Sequence, residues 1–240
     1  MLDLRDLTVF DGVTKLSNVS LSVGSGEVVA VVGPVGSGKS CLLRSVVGYG
    51  DIIDGKIIVQ HFDLSKEKDS ALLHLGYVGR PREVEPYLTG MEQLELIGSA
   101  YGVEPRSRFK RVEELLETFD CREYLHTPLR YMGEAVIEQV ALMASIIHNP
   151  QNIVWDEPGV SLDFGLQQHL VAKIHQLKKN GRSLLLATNN LSFAATVADR
   201  VVFLREGTLL ACGTPTELSR QFGCKRGLED IYNQLYDHDR

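Results

Sequence analysis

The chain has 240 residues, of which 44% are hydrophobic and 23% charged, with a formal net charge of −6 at pH 7. Its longest apolar runs, such as residues 28–32, are far too short to span a membrane, and its N-terminus does not have the pattern of a signal peptide. The negative charge gives no electrostatic footprint for nucleic acid, and the dispersed cysteines and histidines fit neither a disulfide framework nor a metal site. We therefore expect a cytosolic chain that reaches a membrane only through a partner.

The first third of the chain reads mainly as strands. Residues 2–23 alternate loosely between apolar and polar, which predicts short antiparallel strands. Residues 27–32 form a continuous β-branched run ending at Gly33, the pattern of a strand buried on both faces. Residues 41–47 predict a helix that ends around the glycines at 48–50, and residues 55–60 and 73–78 are further strand candidates.

The middle of the chain changes to helical patterns, and strands resume after it. Within residues 81–150, one predicted helix face carries apolar residues at helical spacing, namely Phe109, Val112, Leu115, Leu116 and Phe119. Strands are predicted at 152–156 and 183–188, separated by a helix over 167–179 that ends at Asn180-Gly. A hairpin follows over 201–211, joined by Glu206-Gly, and the residues from 216 read as helical and polar. The pattern predicts an α/β core with a helical insertion.

A glycine-rich segment, Gly33-Pro-Val-Gly-Ser-Gly-Lys-Ser, lies between the predicted buried strand and the helix after it. It matches G-x-x-x-x-G-K-[ST], in which glycines let successive backbone N–H groups point at phosphates at the positive N-terminus of a helix. Lys39 should reach the β- and γ-phosphates, and the Ser40 hydroxyl should ligate Mg²⁺. The segment predicts binding of ATP with Mg²⁺ by Gly33, Pro34, Val35, Gly36, Ser37, Gly38, Lys39, Ser40 and Cys41.

A second candidate segment is the strand at 152–156, which ends in Asp156 and is followed by Glu157. A carboxylate at the end of an apolar strand can hold Mg²⁺, and the next carboxylate can orient or deprotonate an attacking water. Alone, this dipeptide would be a polar strand end. Together with the glycine-rich loop, it predicts Asp156 as a metal ligand and Glu157 as the catalytic base.

These segments, in this order, resemble the nucleotide-binding domain of an ABC transporter from about residue 2 to 218. The resemblance is carried by Asp156-Glu-Pro and Ser161-Leu-Asp (Walker B and D-loop), Gly76-Tyr-Val (start of the Q-loop), Leu88-Thr with Glu92 (start of the helical subdomain), and Ala198-Asp-Arg-Val with Gly213-Thr-Pro (closing segment). It implies one domain over 1–240 with the P-loop NTPase fold of ABC ATPases: a mostly parallel core sheet, an N-terminal antiparallel part and an inserted helical subdomain. The implied core is 1–80 and 150–218, the helical subdomain 81–149, and the C-terminal tail 219–240.

Two residues near the predicted site have alternative interpretations. Phe10 occupies the place of the aromatic that stacks on adenine in the family, and it can equally be a core residue. Cys41, at the start of the predicted helix, can have a lowered thiol pKa, although we expect a packed, inert thiol.

The sequence departs from the family at residues concerned with catalysis. Arg80 aligns with the Q-loop glutamine, and Asn189 aligns with the switch histidine. The LSGGQ signature aligns with Met132-Gly-Glu-Ala-Val, so that Gly133 replaces its serine and Glu134 places a carboxylate against phosphate. Loss of one oriented charge-stabilising donor typically costs about 10²–10³ in rate, so two identical sites of this kind predict weak hydrolysis.

The resemblance implies two partners: a second ABC ATPase domain and integral membrane subunits. Because Glu157 is retained, we favour a heterodimer with a partner whose signature is intact over a homodimer. The chain would then lie on the inner face of the membrane and couple slow or partner-dependent hydrolysis to transport. The alternatives are a regulatory or scaffold domain without useful turnover, a soluble ABC ATPase of the DNA-repair or translation type, and, more remotely, a small-molecule P-loop kinase.

Overall fold

The computed structural model describes residues 1–224 and 227–236 and contains a six-stranded sheet at its centre. The strands are β3 (Val28–Val32), β6 (Leu75–Val78), β7 (Asn152–Asp156), β8 (Ser183–Ala187), β9 (Arg200–Arg205) and β10 (Thr208–Gly213). Their order in the sheet is β10-β9-β3-β8-β7-β6; neighbouring strands are parallel except for β10, which is antiparallel to β9. The three central strands are buried along their whole length because both faces are covered, which explains their unbroken apolar sequences.

A second sheet of four antiparallel strands is built from the N-terminal part. The elements of this part are β1 (Leu2–Phe10), β2 (Lys15–Val23), α1 (Lys39–Val46), β4 (Asp51–Val59) and β5 (Phe62–Asp63), and the strand order is β2-β1-β4-β5. The longer strands bury apolar side chains on one face, and these form one core cluster with helix α1 and the central sheet. Helix α1 therefore packs between the two sheets, which fixes its N-terminus at the end of β3.

The inserted helical part packs on the opposite face of the central sheet. The helices on this side are α3 (Gly90–Ala100), α4 (Pro105–Leu116), α5 (Glu134–Ile146) and α6 (Phe164–Lys179), with short 3₁₀ turns at Arg122–Tyr124 and Leu129–Tyr131. Their core is shared with β7, whose buried Trp155 donates from Nε1 to Ser145 Oγ on α5 at 2.9 Å. Within the described residues, the longest helix is too short and too polar to cross a bilayer.

The predicted apolar face of α4 is partly wrong. Val112 and Leu115 are buried, Leu116 is half-buried, and Phe119 is buried just beyond the end of the helix. Phe109, however, is 66% exposed, because the buried stripe of α4 covers only its C-terminal half. Helical spacing places Phe109 on the same face, but it cannot show where the neighbouring helices stop covering that face.

Two other predicted elements also differ. The strand predicted from residue 73 begins at Leu75, because Leu73 and His74 form the turn after α2 (Lys68–Leu72). The C-terminal part contains α7 (Leu191–Val197), α8 (Pro215–Gln221) and α9 (Leu228–Tyr236). Helix α9 is amphipathic rather than polar, since Leu228 and Ile231 are buried against the central sheet. Residues 225–226 and 237–240 of the predicted tail lie outside the described residues, and the domain boundaries stay predictions.

The C-terminal ends of β3, β6, β7 and β8 meet at one edge of the central sheet. The glycine-rich loop follows β3, residues 79–82 follow β6, Asp156 ends β7, and Thr188 with Asn189 follows β8. In open α/β sheets, ligands bind in the crevice outside the C-terminal ends of the strands. The topology therefore brings four segments that are far apart in sequence to one candidate site.

Candidate functional site at the C-terminal edge of the sheet

The glycine-rich loop owes its shape to close backbone contacts. A Cβ atom on Gly33 would collide with the Leu204 carbonyl oxygen, and Gly36 and Gly38 have φ values of 82° and 104°, which glycine adopts without strain. Helix α1 starts directly after Gly38, with no side-chain cap and no acidic residue in its first turn. Its first N–H groups are therefore available to an anion, at the positive end of the helix dipole.

Lys39 lies at the base of this loop and is only 7% exposed. Its Nζ donates to the carbonyl oxygens of Gly33 at 2.7 Å and Pro34 at 3.0 Å. Burial lowers the pKa of Lys39, while the nearby carboxylates of Glu157 and Asp156 act in the opposite direction. The loop thus holds one buried amine between its own carbonyls and two carboxylates.

The loop, both acidic residues and two of the atypical family positions border one cavity of about 230 Å³. Hydroxyl and carboxylate oxygens, positively charged side chains and the uncapped N-terminus of α1 all border this space. Among the predicted site residues, Phe10, Gly33, Pro34 and Gly133 do not line it. The lining residues are Thr14, Val35, Gly36, Ser37, Gly38, Lys39, Ser40, Cys41, Arg44, Arg80, Asp156, Glu157 and Asn189.

Asp156 and Glu157 are placed by the central sheet. Asp156 is the last residue of β7 and is 2% exposed. Glu157 has a positive φ of 48°, and its backbone N–H donates to Ala187 O at 2.8 Å. Its side-chain Oε2 accepts from the backbone N–H of Asn189 at 3.1 Å. Asn189 therefore contacts the predicted base through its main chain, an interaction that its sequence position did not indicate.

Phe10 is the last residue of β1 and is 42% exposed. The turn after it is fixed by Asp11, whose carboxylate accepts from the N–H groups of Val13 and Thr14 and from Arg44 at 2.7 Å. Burial acts to raise the pKa of Asp11, but these hydrogen bonds and the Arg44 charge hold it below its usual value. The core interpretation of Phe10 is thus wrong, and an exposed ring lies beside a turn bound to α1.

Cys41 has the packed environment that we expected. It is 2% exposed, and its Sγ lies 3.7 Å from Thr14 O. Burial, followed by the neighbouring Asp11 carboxylate, raises the pKa of the Cys41 thiol to about 12. The alternative of a lowered pKa is therefore wrong, because desolvation outweighs the effect of the helix N-terminus at this position.

The predicted signature segment lies at the start of α5. Gly133 is the residue before the helix, with φ −71° and ψ 160°, and Glu134 is an exposed acidic residue in the first turn. A Cβ atom on Gly133 would meet no atom of the described residues within 4 Å, so none of them requires glycine there. The segment leaves the first N–H groups of α5 without a side-chain cap.

Two charged residues near the site were missed at the sequence level, namely Arg82 and Glu138. Arg82 follows the Arg80 segment, and its guanidinium donates to the carbonyl oxygens of Asp156 and Glu157, both at 2.7 Å. It also pairs with Glu138 on α5 at 2.6 Å. No motif marks Arg82, but a glutamate inside the apolar sequence of α5 was a visible anomaly.

The chain matches known proteins over most of its length. The family model described as ABC transporter matches residues 16–160. The ABC-type transporter ATP-binding protein EcsA of Bacillus subtilis is 30% identical over 243 aligned residues, covering 100% of this chain and 98% of that protein.

Solved structures agree with these sequence matches. A structure described as the ATP-binding subunit of an ABC transporter is 26% identical, with a TM-score of 0.92 over 98% of this chain and 99% of that one. A dimeric ATP-binding cassette in a post-hydrolysis state with ADP and Pi shares the fold, with a TM-score of 0.80 over 89% of this chain and 98% of that one at 21% identity. The extent of these matches, with the glycine-rich loop and the acidic strand end at one sheet edge, shows that the chain belongs to the ABC transporter family as an ATP-binding, nucleotide-binding domain.

Proposed function

We propose that this chain binds ATP with Mg²⁺ and couples its binding, and slow or partner-dependent hydrolysis, to membrane subunits of a transporter. The observation that carries the proposal is the single cavity bordered by Lys39, Ser40, Asp156 and Glu157. The loop residues that border the cavity would offer their backbone N–H groups to the phosphates, and the exposed ring of Phe10 would stack on the adenine.

The donor atoms fit a magnesium ion that is bound together with a triphosphate. Ser40 and Asp156 both border the cavity and offer oxygen ligands, which Mg²⁺ prefers. Within the described residues, no group of three His, Cys, Asp or Glu side chains could hold a metal alone. This agrees with the usual arrangement in which one or two protein ligands share the ion with substrate phosphates. A bound Mg²⁺ would neutralise charge on those phosphates.

Glu157 is the residue that would orient and deprotonate the attacking water. Its carboxylate borders the phosphate cavity and is held by the backbone of Asn189 rather than by a histidine side chain. Arg80 borders the same cavity and brings a positive charge where the family has a neutral glutamine. The positive charge of Arg80 favours firm binding of the triphosphate. Hydrolysis should be slow, because the groups that polarise the reaction are only partly present.

A second ABC domain would complete the site. Cassettes of this family pair as dimers, and we favour a heterodimer in which the partner supplies an intact signature to the ATP held here. The Gly133 segment offers no hydroxyl side chain and places Glu134 beside it, so it would serve the partner's ATP poorly.

A groove of about 300 Å³ is the proposed docking site for the membrane subunits. It lies between β6, α3, α5 and the C-terminal end of α1, with mostly apolar and aromatic walls that include Tyr77 and Tyr101. Gly79 lines this groove, and its neighbour Arg80 lines the ATP cavity. An apolar helix of a membrane subunit, with a basic residue facing Glu83, would therefore sense the phosphate site through this short segment. Such docking would hold the chain at the inner face of the membrane.

A regulatory domain that binds ATP without useful turnover is the second candidate. It is favoured by the loss of the glutamine, the histidine and the signature serine, at Arg80, Asn189 and Gly133. The two candidates share the binding step and differ only in hydrolysis.

The test measures ATP binding and turnover separately. Equilibrium binding of ATP with Mg²⁺ should be lost in Lys39→Ala, with an affinity loss of at least about 100-fold, and should persist in the control Lys56→Ala, whose side chain is exposed on β4. Unchanged affinity in Lys39→Ala would contradict the proposed site.

Turnover should be low for the chain alone and rise at least about tenfold with a partner ABC domain of intact signature, in a manner abolished by Glu157→Gln. Rapid hydrolysis by the chain alone would contradict the partner dependence. Binding without turnover under both conditions would identify the regulatory domain instead.

A further inference from the structure

The Arg82 guanidinium binds three backbone carbonyl oxygens and one carboxylate through its two terminal nitrogens. One donates to Gly79 O at 2.8 Å and Asp156 O at 2.7 Å, and the other donates to Glu157 O at 2.7 Å and to Glu138 Oε1 at 2.6 Å. The side chain is 10% exposed. Arg82 thus fixes the main-chain oxygens of both acidic site residues, although it does not line the ATP cavity.

Glu138 continues the connection from the helical part. Its side chain is fully buried, and its Oε1 accepts from Gly159 N at 2.7 Å while its Oε2 accepts from Ser161 N at 2.8 Å. These two N–H groups belong to the segment that follows Glu157. One carboxylate on α5 therefore organises the loop after the predicted base.

Arg82 and Glu138 are each hydrogen-bonded to other groups as well as to one another. These further contacts decide whether the ion pair mainly stabilises the fold or mainly fixes a geometry. Each terminal nitrogen of Arg82 makes two hydrogen bonds, and both oxygens of Glu138 accept N–H groups. Buried ion pairs are weak evidence for stability because desolvation offsets their attraction, whereas removing one partner leaves an uncompensated charge. A buried network that is fully satisfied does, however, fix one geometry.

Glu157 needs such a constraint. Its positive φ of 48° is a backbone conformation that residues other than glycine adopt uncommonly. Arg82 holds its carbonyl, Ala187 accepts from its N–H, and Asn189 donates to its side chain. The direction of the Glu157 carboxylate is therefore set by contacts from β8, from the segment after it, and from the pair.

We propose that Arg82 and Glu138 form a positioning pair that locks the main chain of Glu157 and of residues 159–161 to helix α5. The inference rests on the proposed role of Glu157 in hydrolysis. Glu138 lies one turn after Glu134, so the pair ties the base to the same end of α5 that would meet the partner's ATP. A displacement of that end is transmitted to the base through two side chains, without any contact with the nucleotide.

The experiment compares three variants with the wild type: Arg82→Gln, Arg82→Lys and Glu138→Gln. The control is Arg122→Gln, because Arg122 also pairs with a glutamate in the helical part, Glu113, but on the exposed surface. The first readout is hydrogen–deuterium exchange of the N–H groups of Gly159 and Ser161. The second is kcat with the partner present, measured together with ATP affinity. The exchange measurement does not require turnover.

Exchange at Gly159 and Ser161 should accelerate at least about tenfold in Arg82→Gln and Glu138→Gln and remain unchanged in Arg122→Gln. With the partner present, kcat should fall about tenfold to 100-fold, while ATP affinity changes less than about threefold, because the pair acts on the base and not on the phosphate loop. Arg82→Lys keeps the charge with fewer donors and should give intermediate values. If Arg82→Gln does not fold, this variant and Glu138→Gln carry the test.

Folded variants with unchanged exchange and unchanged kcat would overturn the proposal. An equal loss of ATP affinity and kcat would also overturn it, because it would indicate general damage to the nucleotide site. If the wild type binds no ATP, the proposed function fails, and the exchange measurement still decides whether the pair holds residues 159–161.

Discussion

At the scale of single residues, the ATP cavity combines the lysine of the glycine-rich loop with an arginine at the place of the family's glutamine. Lys39 is buried and held by the loop, whereas Arg80 is exposed and borders the cavity from the segment after β6. A glutamine at this place would contribute no charge. The exposed position of Arg80 reduces its electrostatic effect, because water and salt screen it.

Replacing Arg80 by glutamine should therefore weaken ATP binding moderately, by about threefold to tenfold at low salt, with a smaller effect at high salt. Titration of ATP into the variant at two salt concentrations measures this. Arg5→Gln is the control, because Arg5 is an exposed arginine that does not line the cavity. A salt-independent effect, or tighter binding, would contradict an electrostatic role of Arg80.

Much of the site could be predicted from single residues because its chemistry demands fixed residue types at fixed spacing. Such fixed types and spacing occur in the loop from Gly33 to Ser40 and in the carboxylates of Asp156 and Glu157. Six of the eight loop residues and both carboxylates border one cavity in the structure. Arg82 and Glu138 could not be paired from sequence, since 55 residues separate them between positions 82 and 138 and no periodic pattern relates them. Both side chains contact main-chain atoms, which nearly every residue type has, so the sequence does not indicate which residues they contact.

At the scale of elements, prediction succeeded where burial is two-sided and failed where one face is only partly covered. The unbroken apolar runs of β3, β7 and β8 occur because both faces of the central sheet are covered. Phe109 and the amphipathic α9 were misjudged for the opposite reason. Coverage of a helix face depends on where its neighbours end, which the sequence of that helix does not contain.

The hydrogen bond from Trp155 to Ser145 ties β7 to α5 inside the core. Ser145→Ala should lower the free energy of unfolding by about 1–3 kcal/mol, because the buried indole N–H loses its acceptor. Ser183→Ala is the matched control: its Oγ is buried and has no hydrogen-bond partner among the described residues, so removing this uncompensated hydroxyl should not lower the free energy of unfolding. Urea denaturation monitored by Trp155 fluorescence measures both variants, and equal losses would contradict this assignment.

His148 connects the end of α5 to β6 and to α3. Because it is partly buried, we expect it to make the free energy of unfolding depend on pH. Its Nε2 donates to Leu75 O at 3.0 Å, and its ring stacks on Tyr101 with centroids 3.7 Å apart. Burial lowers the pKa of His148 to about 4, against a hydrogen bond to Leu75 that acts to raise it. The unfolded chain, with a histidine pKa of about 6.5, therefore binds a proton at a higher pH than the folded chain does.

The contribution of neutral His148 to the free energy of unfolding should consequently be fully present above about pH 6.5. It should fall as the pH drops toward 4, by at most about 1.4 kcal/mol per pH unit. His148→Gln should flatten this slope, whereas the control His126→Gln, at an exposed position, should keep it. Urea midpoints at pH 7, 6, 5 and 4.5 provide the measurement. An unchanged slope in His148→Gln would exclude His148 as the source.

At the scale of the whole molecule, the described chain presents two surfaces with unequal chemistry. One surface carries the ATP cavity with its helix N-terminus and cations, and the other carries the start of α5 with Gly133 and the exposed Glu134. In a head-to-tail pair of identical chains, each ATP would face a carboxylate instead of a serine hydroxyl. Like charges at such an interface are unfavourable, which is how a surface can select against its own copy.

Self-association should therefore be absent even when hydrolysis is blocked. In the Glu157→Gln background with ATP and Mg²⁺, the chain should remain monomeric in analytical ultracentrifugation and form a 1:1 complex with a partner of intact signature. Adding Gly133→Ser and Glu134→Gly should produce a homodimer, because the second change removes the repelling carboxylate and the first adds a hydroxyl next to uncapped helix N–H groups. Glu123→Gln, which removes a charge elsewhere on the helical part, should leave the monomer unchanged. A homodimer formed without the signature changes would show that the Glu134 carboxylate does not oppose pairing.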